Sequence, residues 1–181
     1  TTLFRSLKPV LKPINQQNIL PDDKKVLFKT EMNKLKEAAV SRATEHIKNC
    51  DSLAPVKNRK FFKAKDMVEY AQAAAVLALG SELNSTQLRK LYNHIKQSGI
   101  SQWDEEQPDD FYSDTAMLLD PLMHYAAGRN ENLQLVVRMI EPCLEKINEK
   151  DRKKGKRDYE RLVRYVEAIV AYFVAFNPKE R

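Results

Sequence analysis

The chain has 181 residues, 43% of them hydrophobic and 31% charged, with Lys+Arg 31 against Asp+Glu 25 for a net charge of +6. That length suits one compact domain with an extension, its apolar share is enough for a real core, and its four glycines are too few for turn-rich sandwiches, a P-loop or a dinucleotide-binding fingerprint. The charge is segregated: residues 1–65 carry +9, 66–149 carry −8 and 150–181 carry +5. Basic ends point to an anionic partner, and an acidic middle suits a basic protein neighbour or a solvated face.

Residues 1–20 (TTLFRSLKPVLKPINQQNIL) show no sustained period and read as an arm that is extended or orders only on a partner. Pro21-Asp22-Asp23 opens a helix, because acidic groups suit the positive helix end. Its stripe is Phe28, Met32, Leu35, Ala39, Ala43 and Ile47, running to about Cys50. The linker Asp51–Lys65 holds five basic residues, among them Arg59, Lys60 and Lys63, around Phe61-Phe62. Such a combination can hold a nucleic-acid backbone while stacking a base, although phenylalanines in a linker more often anchor it to the core.

Asp66 is read as the N-cap of an alanine-rich helix ending at Gly80, and Asn84 with Gln87 as a capping box for a helix from Ser85 to Ser98, stopped by Gly99. At 100° per residue, Leu88, Leu91, Tyr92 and Ile95 form the core stripe of that second helix, while Arg89, Asn93 and Lys96 line one flank over about 10 Å. A flank of this length can bridge adjacent phosphates of a single strand, and can equally be ordinary solvated surface. Ser101–Asp110 is an acidic loop with the only tryptophan, lacking the alternating ligands and central glycine of an EF-hand.

Tyr112–Ala127 reads as a helix kinked by Pro121 and ended by Gly128; Asn132 to about Lys150 keeps helical spacing despite Pro142. After the basic stretch Lys150–Arg157 comes a last helix with Tyr159, Leu162, Val166, Ile169 and Phe173 inward, and Arg157, Arg161 and Arg164 opposite. Glu160 stands four residues before Arg164 and can pair with it. The expected fold is all-α, a compact bundle of about five or six helices, with residues 1–59 as a basic extension and 60–181 as the core.

Cys50 and Cys143 lack the spacing of a zinc site, redox pair or disulfide framework and are expected reduced and buried. His46, His94 and His124 stand alone on separate helices, so no catalytic residue, metal site or cofactor is expected. Thr1–Lys12 carries no secretory pattern, and Ala73–Leu79 is too short to span a bilayer. A cytoplasmic protein without membrane contact is expected.

Three stretches add more. Leu83–Lys96 (LNSTQLRKLYNHIK), Leu118–Arg129 (LLDPLMHYAAGR) and Tyr165–Tyr172 (YVEAIVAY), in this order, resemble the small helical subunit of type III-A CRISPR effector complexes. The matches are a Ser/Thr-Gln-hydrophobic-Arg-Lys opening at Ser85–Lys90, a Leu-x-Pro-x-Leu/Met-x-Tyr-Ala-Ala-Gly-Arg element at Leu119–Arg129, and Glu-Ala-hydrophobic-hydrophobic-Ala-Tyr at Glu167–Tyr172. The resemblance covers about residues 60–176. It implies a non-catalytic subunit in antiviral defence, stacked in several copies beside the subunits that hold the guide RNA. Such a subunit contacts the guide and single-stranded target RNA through the sugar-phosphate without reading sequence. By position, Arg89, Lys90 and Arg129 match the motifs, with Lys96 adjacent; Arg59, Lys60, Lys63, Arg161 and Arg164 complete the RNA-contacting set from the basic segments. Residues 1–59 and Ser101–Asp110 depart from the family pattern and inherit no role. The related type III-B small subunit is one alternative. Another is a helix-turn-helix DNA-binding regulator built on Met67–Leu79 and Ser85–Ser98, against which the apolar commitment of Leu88, Leu91 and Tyr92 argues.

Overall fold

The computed structural model describes residues 22–99, 108–147 and 152–177. The arm 1–20, most of the acidic loop with Trp103, and Lys150 lie outside the described residues, as does the side chain of Phe28. Six α-helices make up the described chain: α1 (Asp22–Lys48), α2 (Ala64–Leu79), α3 (Ser85–Ser98), α4 (Phe111–Arg129), α5 (Gln134–Leu144) and α6 (Arg152–Phe176). A single 3-10 turn, Glu131–Leu133, leads into α5, and the described residues hold no strand beyond one isolated bridge, Ser52 with Phe61. The all-α expectation holds.

Helix α2 is the centre. Ala71, Ala73, Ala74, Ala75, Val76, Leu77 and Ala78 are all fully buried, so the second half of the helix is apolar on every side and must be surrounded, while Lys65, Asp66, Glu69 and Gln72 leave one face of the first half open. It packs on α1, α5 and α6, and α6 in turn contacts α3, α4 and α5. Met32, Ala39, Ala43 and Ile47 of α1 are buried as their spacing predicts, and so are Leu88, Leu91 and Ile95 of α3.

Several boundaries differ from the sequence reading. Helix α2 starts at Ala64 behind Lys63, and Asp66 is not its cap. It sits in the first turn, where its carboxylate favours the positive helix end and lies 3.5 Å from His46 Nε2. Gly128 does not end α4, which continues to Arg129 and passes through Pro121. Helix α5 is shorter than expected: Pro142 has no N–H for the ladder, and within a turn the bonding tightens to i→i+3 steps, Lys146 N–H to Cys143 and Ile147 N–H to Leu144. Most of the basic stretch before Tyr159 is helical, forming the first turns of α6, because buried Lys154 and Gly155 pack that end onto the molecule. The capping box of Asn84 and Gln87 is present, with Asn84 Oδ1 accepting from Thr86 N–H at 2.7 Å. Cys50 and Cys143 are free thiols, both buried, and burial pushes both above the ordinary thiol range.

The two structurally contrasting glycines yield a prediction. A Cβ at Gly99 would strike the ring of Tyr159, which is 2% exposed and pinned by its hydroxyl donating to Ile95 O at 2.7 Å. Gly99→Ala is expected to cost about 1–3 kcal/mol, and to lower the Tm by roughly 2–12 °C at ~2–4 °C per kcal/mol. A Cβ at Gly128 meets nothing within 4 Å, so Gly128→Ala is expected to melt at or slightly above the parent temperature. Paired thermal melts check both.

Candidate nucleic-acid interface

The linker that carries Arg59, Lys60 and Lys63 is an ordered loop. Asp51 N–H donates to Lys60 O at 2.8 Å, Phe62 N–H to Ser52 O at 3.1 Å, and Lys60 N–H to Asp51 Oδ2 at 2.9 Å. Two residues of α6, one turn apart, clamp it. Asp158, 1% exposed, accepts from Ser52 Oγ at 2.6 Å and Ala54 N–H at 2.7 Å on the same oxygen, while Arg161 Nη2 donates to Phe62 O at 2.9 Å. Phe62 itself is buried, edge-on to Tyr165 at 5.5 Å and stacked on Tyr70 at 6.2 Å, so it anchors the loop and stacks no base. Phe61 is half-buried.

Arg161 is therefore half-buried and engaged, with burial first and Arg164 second lowering its pKa from the ordinary arginine value. Arg164 and Glu160 are exposed and form no ion pair with each other among the described residues. On α3, Arg89, Lys90, Asn93 and Lys96 are all exposed. Tyr92 leans to the Arg89/Lys96 flank of α3; its hydroxyl donates to Glu167 Oε1 of α6 at 3.3 Å, and Lys96 Nζ lies 5.7 Å from its ring centre.

These contacts place the flank beside α6. On α6, Glu167 touches α3 and Arg161 touches the linker. At 100° per residue Arg164 falls about 60° from each, hence between them. The Arg89/Lys96 flank of α3 thus lies beside the outer strip of α6, which reaches the linker at Arg161, with Glu160 and Glu167 interspersed; Lys90 stands about 100° further around α3. Arg129 belongs elsewhere: it ends α4, its guanidinium 5.8 Å from the ring centre of Tyr125 and its Nη1 donating to the Tyr125 hydroxyl at 3.4 Å.

Helix α4 also presents what the sequence reading missed. Met117 (73% exposed), Leu118 (68%), Leu122 (47%) and Tyr125 (65%) stand outward with Pro121, opposite buried Ala116, Leu119, Met123 and Ala127. The signal was available in a helix that is apolar on both faces, and no described residue covers the second. The histidines were also misjudged as solitary. His46 Nδ1 lies 3.3 Å from the Tyr70 hydroxyl and its Nε2 near Asp66, and His124 lies between Asp120 and Glu141.

Residues 62–179 match the family model described as Csm2 Type III-A. The chain belongs to this family. It is accordingly a small subunit of a type III-A CRISPR effector complex, a multi-subunit assembly with other Csm subunits, as the three sequence motifs imply. No curated protein and no solved structure matches the chain. The helix-turn-helix alternative gains nothing from the fold, since the second half of α2 is enclosed at the centre of the core and Leu88, Leu91 and Ile95 of α3 face the core. No helix among the described residues is long and apolar enough to cross a membrane.

Proposed function

We propose that this subunit is a non-catalytic, cytoplasmic scaffold element in antiviral defence that lays its basic side along the guide and single-stranded target RNA of the effector complex and docks on neighbouring subunits, further copies of itself among them, through the outer face of α4. What supports the first half is the exposed Arg89/Lys96 flank of α3 beside the Arg164 strip of α6, with the ordered loop that carries Arg59, Lys60 and Lys63 held to the same helix; Lys90 would extend this surface around α3. An ordered loop presents its charges without a large entropy loss on binding, which suits backbone contact that ignores sequence. Arg161 acts there by holding the loop, and Arg129, stacked on Tyr125, marks the edge of the protein-docking face. The family match begins at residue 62 and α1 packs on α2 and α5, which supports residues 1–59 as an extension laid on a core of 60–181.

The test is charge reversal. Arg89→Glu/Lys96→Glu in the assembled complex is expected to weaken target-RNA binding on the order of ten-fold at moderate salt and to lower the slope of log K against log salt by about one to two, as two lost phosphate contacts require. The Tm of the isolated subunit should fall by no more than a few degrees, because both side chains are exposed and surface charge contacts are worth roughly 0–1 kcal/mol. Unchanged affinity and slope would remove this surface from the RNA path, and a regulator preferring duplex DNA would show itself in the same titration with a duplex probe.

A further inference from the structure

His124 and Asp120 project one turn apart from the same side of α4, and Glu141 reaches them from α5. His124 Nε2 lies 3.6 Å from Asp120 Oδ1 and 3.5 Å from Glu141 Oε1, and the three donor atoms all fall within 4.8 Å of one another. These separations are long for charge-assisted hydrogen bonds, which close to about 2.7–2.9 Å. The two from His124 match the edge of a coordination tetrahedron, since zinc bonds of about 2.0–2.2 Å put neighbouring ligand atoms roughly 3.3–3.6 Å apart, and the two carboxylates lie within 4.8 Å of each other.

We propose that Asp120, His124 and Glu141 form a surface site for a divalent transition metal of the zinc class, with water in the remaining position, that staples α4 to α5. One imidazole nitrogen and two carboxylate oxygens are a borderline donor set, favouring zinc or a neighbouring transition ion over magnesium, which prefers oxygen and retains its waters. Two carboxylates cancel the ion's charge. Arg138, the cation on α5, feels the charge of Glu141 but makes its hydrogen bonds to Glu37, in a two-pronged pair at 2.6 and 2.7 Å, and so leaves the Glu141 oxygens open to an ion. The side chains are 45%, 52% and 37% exposed, so an ion can enter without unfolding anything.

The experiment uses the full chain, freed of metal with a chelator and exchanged into a non-coordinating buffer near pH 7.5, titrated with zinc chloride by calorimetry and followed by thermal melting. The expected result is one strong site per chain and a Tm raised by several degrees. His124→Ala and Glu141→Gln should each weaken zinc binding at least ten-fold and abolish the Tm rise, while Asp66→Asn, at the separate His46 pair, should keep both. Absence of a zinc response in the parent, a response that survives both ligand substitutions, or an equal response to magnesium would overturn the assignment.

Discussion

Leu118→Lys/Leu122→Lys is expected to leave the subunit folded and to weaken its incorporation into the effector complex by about 100-fold or more. Both leucines already stand largely in water, at 68% and 47% exposure, so their replacement opens no cavity, and lysine suits a helix about as well as leucine. In the assembled complex the same side chains would be buried. Each leucine fully removed from water contributes about 1.5–3 kcal/mol, and a lysine in its place brings a charge that must be desolvated. Since ~1.4 kcal/mol is a factor of ten and only the exposed part of each leucine is left to bury, the two positions together account for about 20- to 300-fold, to which the buried lysine charges add. Co-purification with the other subunits, beside a melt of the isolated variant, reads both halves. Retention of full incorporation would show that the exposed face of α4 is not the docking surface. Substitution of Gly128 extends the same test. A Cβ there meets nothing within 4 Å, so Gly128→Ala should be neutral for the fold and disturb only a close-packed neighbour.

Asp158→Ala should cost the isolated subunit about 2–6 kcal/mol, lowering its Tm by roughly 4–24 °C at ~2–4 °C per kcal/mol. The carboxylate is buried and accepts from both Ser52 Oγ and Ala54 N–H, so alanine would strand two donors out of water as well as opening space. A stranded buried donor costs about 1–3 kcal/mol, and the bonds lost are to a charged acceptor. Asp158→Asn keeps an acceptor oxygen at the same place and should lose much less. The melt thus separates the hydrogen-bonding role from general packing. Because Asp158 and Arg161 hold the linker together, the alanine variant should also loosen Arg59, Lys60 and Lys63. Hydrogen exchange at Asp51–Phe62 should rise before the rest of the fold opens. A variant that melts within a degree of the parent would mean that the loop is held by Phe62 and Arg161 alone.

The sequence by itself determined what depends on local period and local chemistry. The spacing of Met32, Ala39, Ala43 and Ile47, the capping box at Asn84 and Gln87, and the Leu88–Leu91–Ile95 stripe are properties of a few consecutive turns, and each stands in the structure as read. The three motifs at Ser85–Lys90, Leu119–Arg129 and Glu167–Tyr172 likewise carry the family, because they lie in the sequence whatever the fold. Boundaries failed where packing or bonding outweighed propensity: the basic run before Tyr159 looks like a solvated loop until Lys154 and Gly155 are buried, and Pro142 ends α5 within a turn. Everything that joins residues distant along the chain was decided by tertiary structure alone. Asp158 meets Ser52 across 106 positions, Arg161 meets Phe62 across 99, and Tyr92 meets Glu167 across 75. A helical wheel gives each side chain an angle about its own axis, but not which neighbouring helix lies at that angle. For that reason Arg161 could be read only as an exposed cation and His124 only as a solitary histidine, and the outer face of α4 went unread.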